Sequence, residues 1–253
     1  MDTLNKISIT RSNNINLDID TTVIIYDNTK SLKGIIKKYI PINDKYDSLI
    51  KEIEQKFTNN HRQESIMIVS HPKTPKKFHK VIVIGYPTNE ITSLSLGLDE
   101  YRLIGFKIYK GMSHNQLSNI NIVCPDEFQF IESVLEGMLL STYNFDIYKT
   151  KLRVDKQKPK SELDTINIVC LNRISQFNKL VKNTVSKIEA VFLCKDLVNL
   201  PPNHLKPDTY VKHVLNTIKS AKLPIKTKII NSSQLKKMGM NLLLSVGQTS
   251  NGN

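Results

Sequence analysis

Six histidines, three cysteines and a lysine-rich final third are the residues of this 253-residue chain with the most chemistry to offer. A metal site or a redox pair needs His, Cys, Asp or Glu at short, fixed spacing, as in HExxH or CxxC, and neither string occurs. His61, His71, His79, His114, His204 and His213 show no close ligand spacing and read as surface or internally satisfied side chains. The phosphate-cradling GxxxxGK[ST] loop and the GxSxG nucleophile elbow are also missing from the sequence. Cys124, Cys170 and Cys194 lie far apart and are odd in number, so they read as buried thiols rather than a complete disulfide framework.

The charge is local. Residues 166–253 hold 13 Lys and Arg against 3 acidic residues, Glu189, Asp196 and Asp208, and so carry +10 of the net +13; residues 1–165 hold 23 against 20. Clustered lysine attracts phosphate without regard to base sequence, so one reading is a polyanion surface. The other is a set of solvated helix faces, and Tyr210 is the only aromatic between Lys206 and Lys237 on which a base could stack. With 40% hydrophobic residues the chain can bury one large or two small cores. It has no basic-flanked apolar leader and no run of about 18 apolar residues, so we expect a soluble cytoplasmic protein without membrane contact.

The elements that would position these residues alternate. TTVIIYD (Thr21–Asp27), SIMIVS (Ser65–Ser70), KVIVIGY (Lys80–Tyr86) and INIVC (Ile120–Cys124) read as short buried strands. Tyr46–Phe57 places Leu49, Ile50, Ile53 and Phe57 on one helical face, and Phe128–Thr142 does so with Phe128, Ile131, Leu135, Met138 and Leu139. Asp126 followed by Gln129 resembles a capping box for the second of these helices. Strands alternating with helices imply an α/β unit with a mostly parallel sheet covered on both faces. Thr150–Asp164, poor in large apolar residues and mixed in charge, suits an exposed connection, which predicts domains at 1–160 and 161–253. In the second part, Gln176–Leu197 reads as a long amphipathic helix stopped by Asn199, Pro201 and Pro202. Asp208 caps or begins a helix to about Lys219, Lys226–Ile230 reads as a strand, and Ser233–Met238 as a short helix closed by Gly239. Asn241–Val246 reads as a strand or a buried helix.

Three ordered stretches carry a resemblance. CKDLVNLPPNHLKPDTY (Cys194–Tyr210) is similar to "RDLVNTPPNxLTPxxL", SSQLKKMGMNLLLSVGQTS (Ser232–Ser250) to "ELxxxGMGxLLxVGQGS", and EGMLLSTYNFDIYKTK (Glu136–Lys151) to "EGxLLGxYxFxxYKTK". VIVIGYPTNE (Val81–Glu90) sits where a strand ending in "VGLG" would stand. These are patterns of the leucyl aminopeptidase, or cytosol aminopeptidase, family. Departures fall at Lys195, Leu200, Asn241 and Thr249, where the patterns have Arg, Thr, Gly and Gly.

The resemblance implies an amino-terminal macro-like α/β domain followed by the start of a metallopeptidase domain. It also implies hexamers and removal of amino-terminal residues such as Leu by a zinc- or manganese-bound water. Two ions about 3.5–4 Å apart need several carboxylates to neutralise and bridge them. The family keeps these in "GKGxxFDSGG" and "NTDAEGR" motifs, and neither string occurs here. Three scattered carboxylates do not supply that set. The expectation is therefore a truncated relative that stops before the metal motifs, with no catalytic, metal-binding or cofactor-binding residue to name and Lys195, Asp196 and Asn199 as scaffold. Three roles follow: a scaffold inactive alone, a nucleic-acid- or partner-binding module, or one part of an active assembly. That assembly is a homo-oligomer or a mixed oligomer with a full-length aminopeptidase. Residues beyond about 225, with Leu242–Val246 as an apolar patch, are expected to be mobile or to associate.

Overall fold

Short apolar runs, whose successive side chains point to opposite faces, build the centre of the molecule. The structure, a computed structural model, describes residues 4–26, 31–40, 42, 44–59, 64–70, 78–85, 94–125, 127–149, 163–170 and 176–249. Six strands form one sheet: β1 (Ser8–Ser12), β2 (Thr21–Tyr26), β3 (Glu64–Ser70), β4 (Phe78–Gly85), β5 (Asn119–Val123) and β6 (Thr165–Val169). Their order is β1-β6-β5-β2-β4-β3, parallel throughout except for the antiparallel β3–β4 pair. A mostly parallel sheet must be covered on both sides, and its strands are accordingly apolar on both.

One face presents Val23, Ile25, Ile82, Ile84, Ile120, Ile122, Ile166 and Ile168 to α3 (Leu94–His114), α4 (Phe128–Ser141) and the start of α5 (Phe177–Asn199). The other presents Ile24, Tyr26, Val81, Val83, Met67 and Val69 to α1 (Leu32–Tyr39) and α2 (Asp47–Asn59). Helix α1 starts where Ser31 Oγ accepts from Gly34 N at 3.3 Å and Glu54 of α2 accepts from Leu32 N at 2.5 Å. Ion pairs from Lys33 and Lys37 to Asp47 tie the same two helices together.

A polar row crosses the α1–α2 face of the sheet. Asn167 Nδ2 donates to Asn121 Oδ1 at 2.8 Å, Ser12 Oγ donates to Asn167 Oδ1 at 3.0 Å, and Thr22 Oγ1 meets His79 Nε2 at 2.9 Å. Asn121 also clasps the backbone of Asn16, accepting from its N–H at 2.8 Å and donating to its carbonyl at 3.0 Å. That bond pair fastens the 13–20 connection to the buried Asn121 amide.

The chain divides into two compact units, Met1–Phe192 and Leu193–Asn253. This division falls later than the compositional break near 160, because β6 lies between β1 and β5 and α5 packs Phe177, Leu180 and Ile188 into the cores of the first unit. Most of the Thr150–Asp164 connection lies outside the described residues, as does Asp126. Helix α4 takes Glu127 as its N-cap, with no side-chain cap bond, so Gln129 stands at the second helical position and the expected capping box does not form there.

The second unit continues from the end of α5 into α6 (Pro207–Ser220), α7 (Ser232–Lys237) and α8 (Asn241–Thr249). Lys226–Ile230 is not a strand, since among the described residues no segment pairs with it in a ladder. Asn241–Thr249 is helical and exposed rather than buried, with Leu242 at 86% of full exposure. Among the described residues no helix is long and apolar enough to cross a membrane.

Candidate functional site

The three stretches that carry the resemblance each do a structural job. In Glu136–Tyr148 the centre is a buried carboxylate. Glu136 has 5% side-chain exposure; its Oε2 accepts from Arg102 Nε of α3 at 2.7 Å, and its Oε1 pairs with Lys187 Nζ of α5. Asp99 and Glu132 share the same two cations, at 2.7 and 3.0 Å. The hydrogen bond to Glu136 holds both the Arg102 and the Lys187 pKa above their ordinary values. Beside it, Gly137 and Gly105 let α3 and α4 touch backbone to backbone. A Cβ on Gly137 would lie 2.0 Å from Arg102 O, and one on Gly105 would lie 2.1 Å from Val134 O. Farther along, Leu139, Leu140, Tyr143, Val185, Ile188 and Phe192 form a small core with Leu4, the Tyr143 and Phe192 rings 5.1 Å apart.

Cys194–Tyr210 is a helix stop followed by a helix start. Leu200 N still bonds Asp196 O at 3.0 Å, then Pro201 and Pro202 end α5. His204 N and Leu205 N turn back to Pro201 O, Pro207 takes the first position of α6, and Lys206 N donates to Thr209 Oγ1 at 2.8 Å. In Ser232–Ser250, Asn231 and Gln234 close a capping box through two 3.0 Å bonds. Gly239, at φ +70°, closes α7: Met240 N bonds Leu235 O and Gly239 N bonds Lys236 O, both at 3.1 Å. That is the Schellman pattern, which favours glycine at its left-handed position. The signature residues of this region thus include helix caps and breakers.

Glu189, Asp196 and Asp208 do not form a metal cage. Glu189 and Asp196 stand seven residues apart on α5, about 10.5 Å along a helix axis, and Asp208 is an exposed residue in the first turn of α6. Among the described residues no three His, Cys, Asp or Glu side chains come together in a way that could hold an ion. The described donor set does not fit a dinuclear centre. Lys195 and Asp196 are half-buried and Asn199 is exposed, all within the last two turns of α5. His79 is buried against Thr22, His114, His204 and His213 are exposed, and His61 and His71 lie outside the described residues. Cys124 is half-buried, Cys170 is buried beneath Arg11, whose Nε donates to its Sγ at 3.3 Å, and Cys194 is exposed, so the reading of three buried thiols holds fully only for Cys170.

Residues 192–253 match the model of the cytosol aminopeptidase family, catalytic domain. A "Probable cytosol aminopeptidase" of Agrobacterium fabrum is 36% identical over 114 residues, 45% of this chain and 22% of that protein. One of Rickettsia canadensis is 25% identical over 218 residues, 83% of this chain and 42% of its own length. The chain is similar to the cytosol aminopeptidase family over its final quarter and, at lower identity, over most of its length. Its fold is that of leucyl aminopeptidases: a tomato leucine aminopeptidase variant superposes with a TM-score of 0.67 at 14% identity, over 92% of this chain and 46% of its own. A Trypanosoma brucei leucyl aminopeptidase in complex with actinonin gives 0.62 at 14%, over 96% and 46%. The chain thus spans less than half the length of these aminopeptidases. The Glu136 clamp was not legible as a site before the structure. Its signals were a carboxylate set among the apolar residues of VLEGMLL and its place at the head of the Glu136–Lys151 stretch, neither of which names its partners.

Proposed function

We propose that residues 1–253 are the scaffold of a leucyl-aminopeptidase-type protein, an amino-terminal domain with the opening of the peptidase domain, and that this stretch alone does not hydrolyse peptides. The observation that carries the reading is the donor set: three carboxylates follow residue 165, and two ions need more than these to be neutralised and bridged. Release of amino-terminal residues such as Leu, with zinc or manganese, then belongs to an assembly in which the acidic motifs are present, and a cytoplasmic location follows the same kinship. Within this stretch, Glu136, Gly137, Gly239 and the Asn231–Gln234 cap hold the framework.

The test is hydrolysis of a leucine anilide by the purified chain with Mn²⁺ or Zn²⁺, with metal content measured and mass spectrometry to exclude a longer peptidase. No turnover and no retained metal is the expected outcome. Turnover with about two metals per chain, as in a two-metal site, would overturn the reading. A second reading, polyanion binding, is favoured by one observation: Lys212, Lys219, Lys222, Lys226, Lys228, Lys236 and Lys237 are all exposed. Duplex DNA binding that weakens steeply with salt supports it; no binding at low salt removes it.

A further inference from the structure

We propose that strand β3 pairs with β3 of a second copy of this chain, antiparallel and centred on Met67, to make one continuous sheet across a two-fold axis. This goes beyond the scaffold reading and does not depend on it. β3 is an edge: it pairs with β4 on one side, and among the described residues no strand lies on the other. The backbone groups on that side are a template for another strand.

The side chains narrow the choice of partner. Met67 and Val69 point into the α1–α2 core, whereas Ile66 and Ile68 point to the opposite face at 50% and 56% exposure. Phe78, one strand over and 70% exposed, extends the patch, since Ser70 pairs with Phe78 and Ile68 with Lys80. An antiparallel strand with one solvated face normally alternates apolar and polar residues, and here the solvated face is apolar. The sequence around Met67 is symmetric, Ile-Met-Ile. Antiparallel pairing about that centre sets Ile66 against Ile68 of the partner subunit and Ile68 against Ile66 of the partner subunit. Each exposed isoleucine therefore covers another. A two-fold contact uses one patch twice and closes at the dimer, which stops the edge from recruiting further chains.

The experiment compares three forms of the full chain, each also carrying Leu242→Glu and Val246→Glu so that α8 does not associate. They have the native β3, Ile66→Lys with Ile68→Lys, or Ile66→Glu with Ile68→Glu. Light scattering on a sizing column is expected to give twice the chain mass for native β3. It should give single chains for each charged form, because like charges then stand directly opposite one another, and the dissociation constant should rise by at least about 100-fold. Mixing the Lys and Glu forms should restore a one-to-one dimer, since this register sets each Lys against a Glu. A native-β3 form that stays monomeric at every concentration overturns the proposal, as do charged forms that dimerise unchanged or fail to combine on mixing. Should the charged forms not fold, hydrogen exchange on the unsubstituted chain decides: amides of β3 that gain protection with rising concentration support the pairing, and amides that do not overturn it. None of these results touches the leucine anilide assay.

Discussion

Glu136 is the side chain that most repays its place. A carboxylate at 5% exposure is costly to bury unless its charge is met, and Arg102 and Lys187 meet it from two different helices. Removing it leaves two cations that keep Asp99 and Glu132 and are partly exposed, which limits the damage. We expect Glu136→Ala to cost about 2–4 kcal/mol in urea unfolding, and Glu132→Ala, a surface partner, less than about 1 kcal/mol. Equal losses would show that burial of Glu136 is not the cause. Gly137 is a question of space rather than charge: a methyl 2.0 Å from Arg102 O must push α3 and α4 apart. Gly137→Ala should cost about 2–3 kcal/mol and lower Tm by about 4–12 °C, although alanine is the better helix former. Gly247→Ala, where a Cβ meets nothing within 4 Å, is the matched control and should be neutral or slightly stabilising.

At the scale of elements, the α1–α2 pair is pinned by Asp47. Its carboxyl is held below the ordinary value of 3.8, first by the hydrogen bond from Lys33 and then by the charges of Lys33 and Lys37. A depressed acid contributes stability above its unfolded pKa and loses it as the pH falls through the folded one. The stability gap between the native chain and Asp47→Asn should therefore be constant near neutrality and close below about pH 4, as followed by thermal melts. A gap that persists in acid would assign the effect to packing. Strands β2 to β5 were legible because their apolar runs are short and bounded. β1 was not, because SITRS is a half-buried edge with polar side chains facing Asn167. α3 was hidden by Gly97, Gly105 and Gly111, which weaken a helical pattern although Gly105 is there to admit α4. The Lys226–Ile230 reading failed for the opposite reason. Local β-propensity was present, but a ladder partner is a tertiary fact that no single segment encodes.

Across the whole molecule the two units differ in kind. The first has three apolar cores, whereas no described residue after Phe192 is buried. Local opening free energy follows buried apolar contact, so amides of β2, β4 and β5 should exchange at the rate of global unfolding and those of 205–249 much faster. Uniform protection in a monomer would contradict this. The strand order also sets a timetable. β1 pairs with β6 and with no other described strand, and β6 begins more than 150 residues after β1 ends. During synthesis the first strand therefore emerges long before its neighbour exists. β2, β4 and β5 can assemble meanwhile, but β1 has nowhere to go until Thr165–Val169 has left the ribosome. A stalled nascent chain ending before that point should thus hold a protected central sheet with a protease-sensitive first strand still waiting beside it.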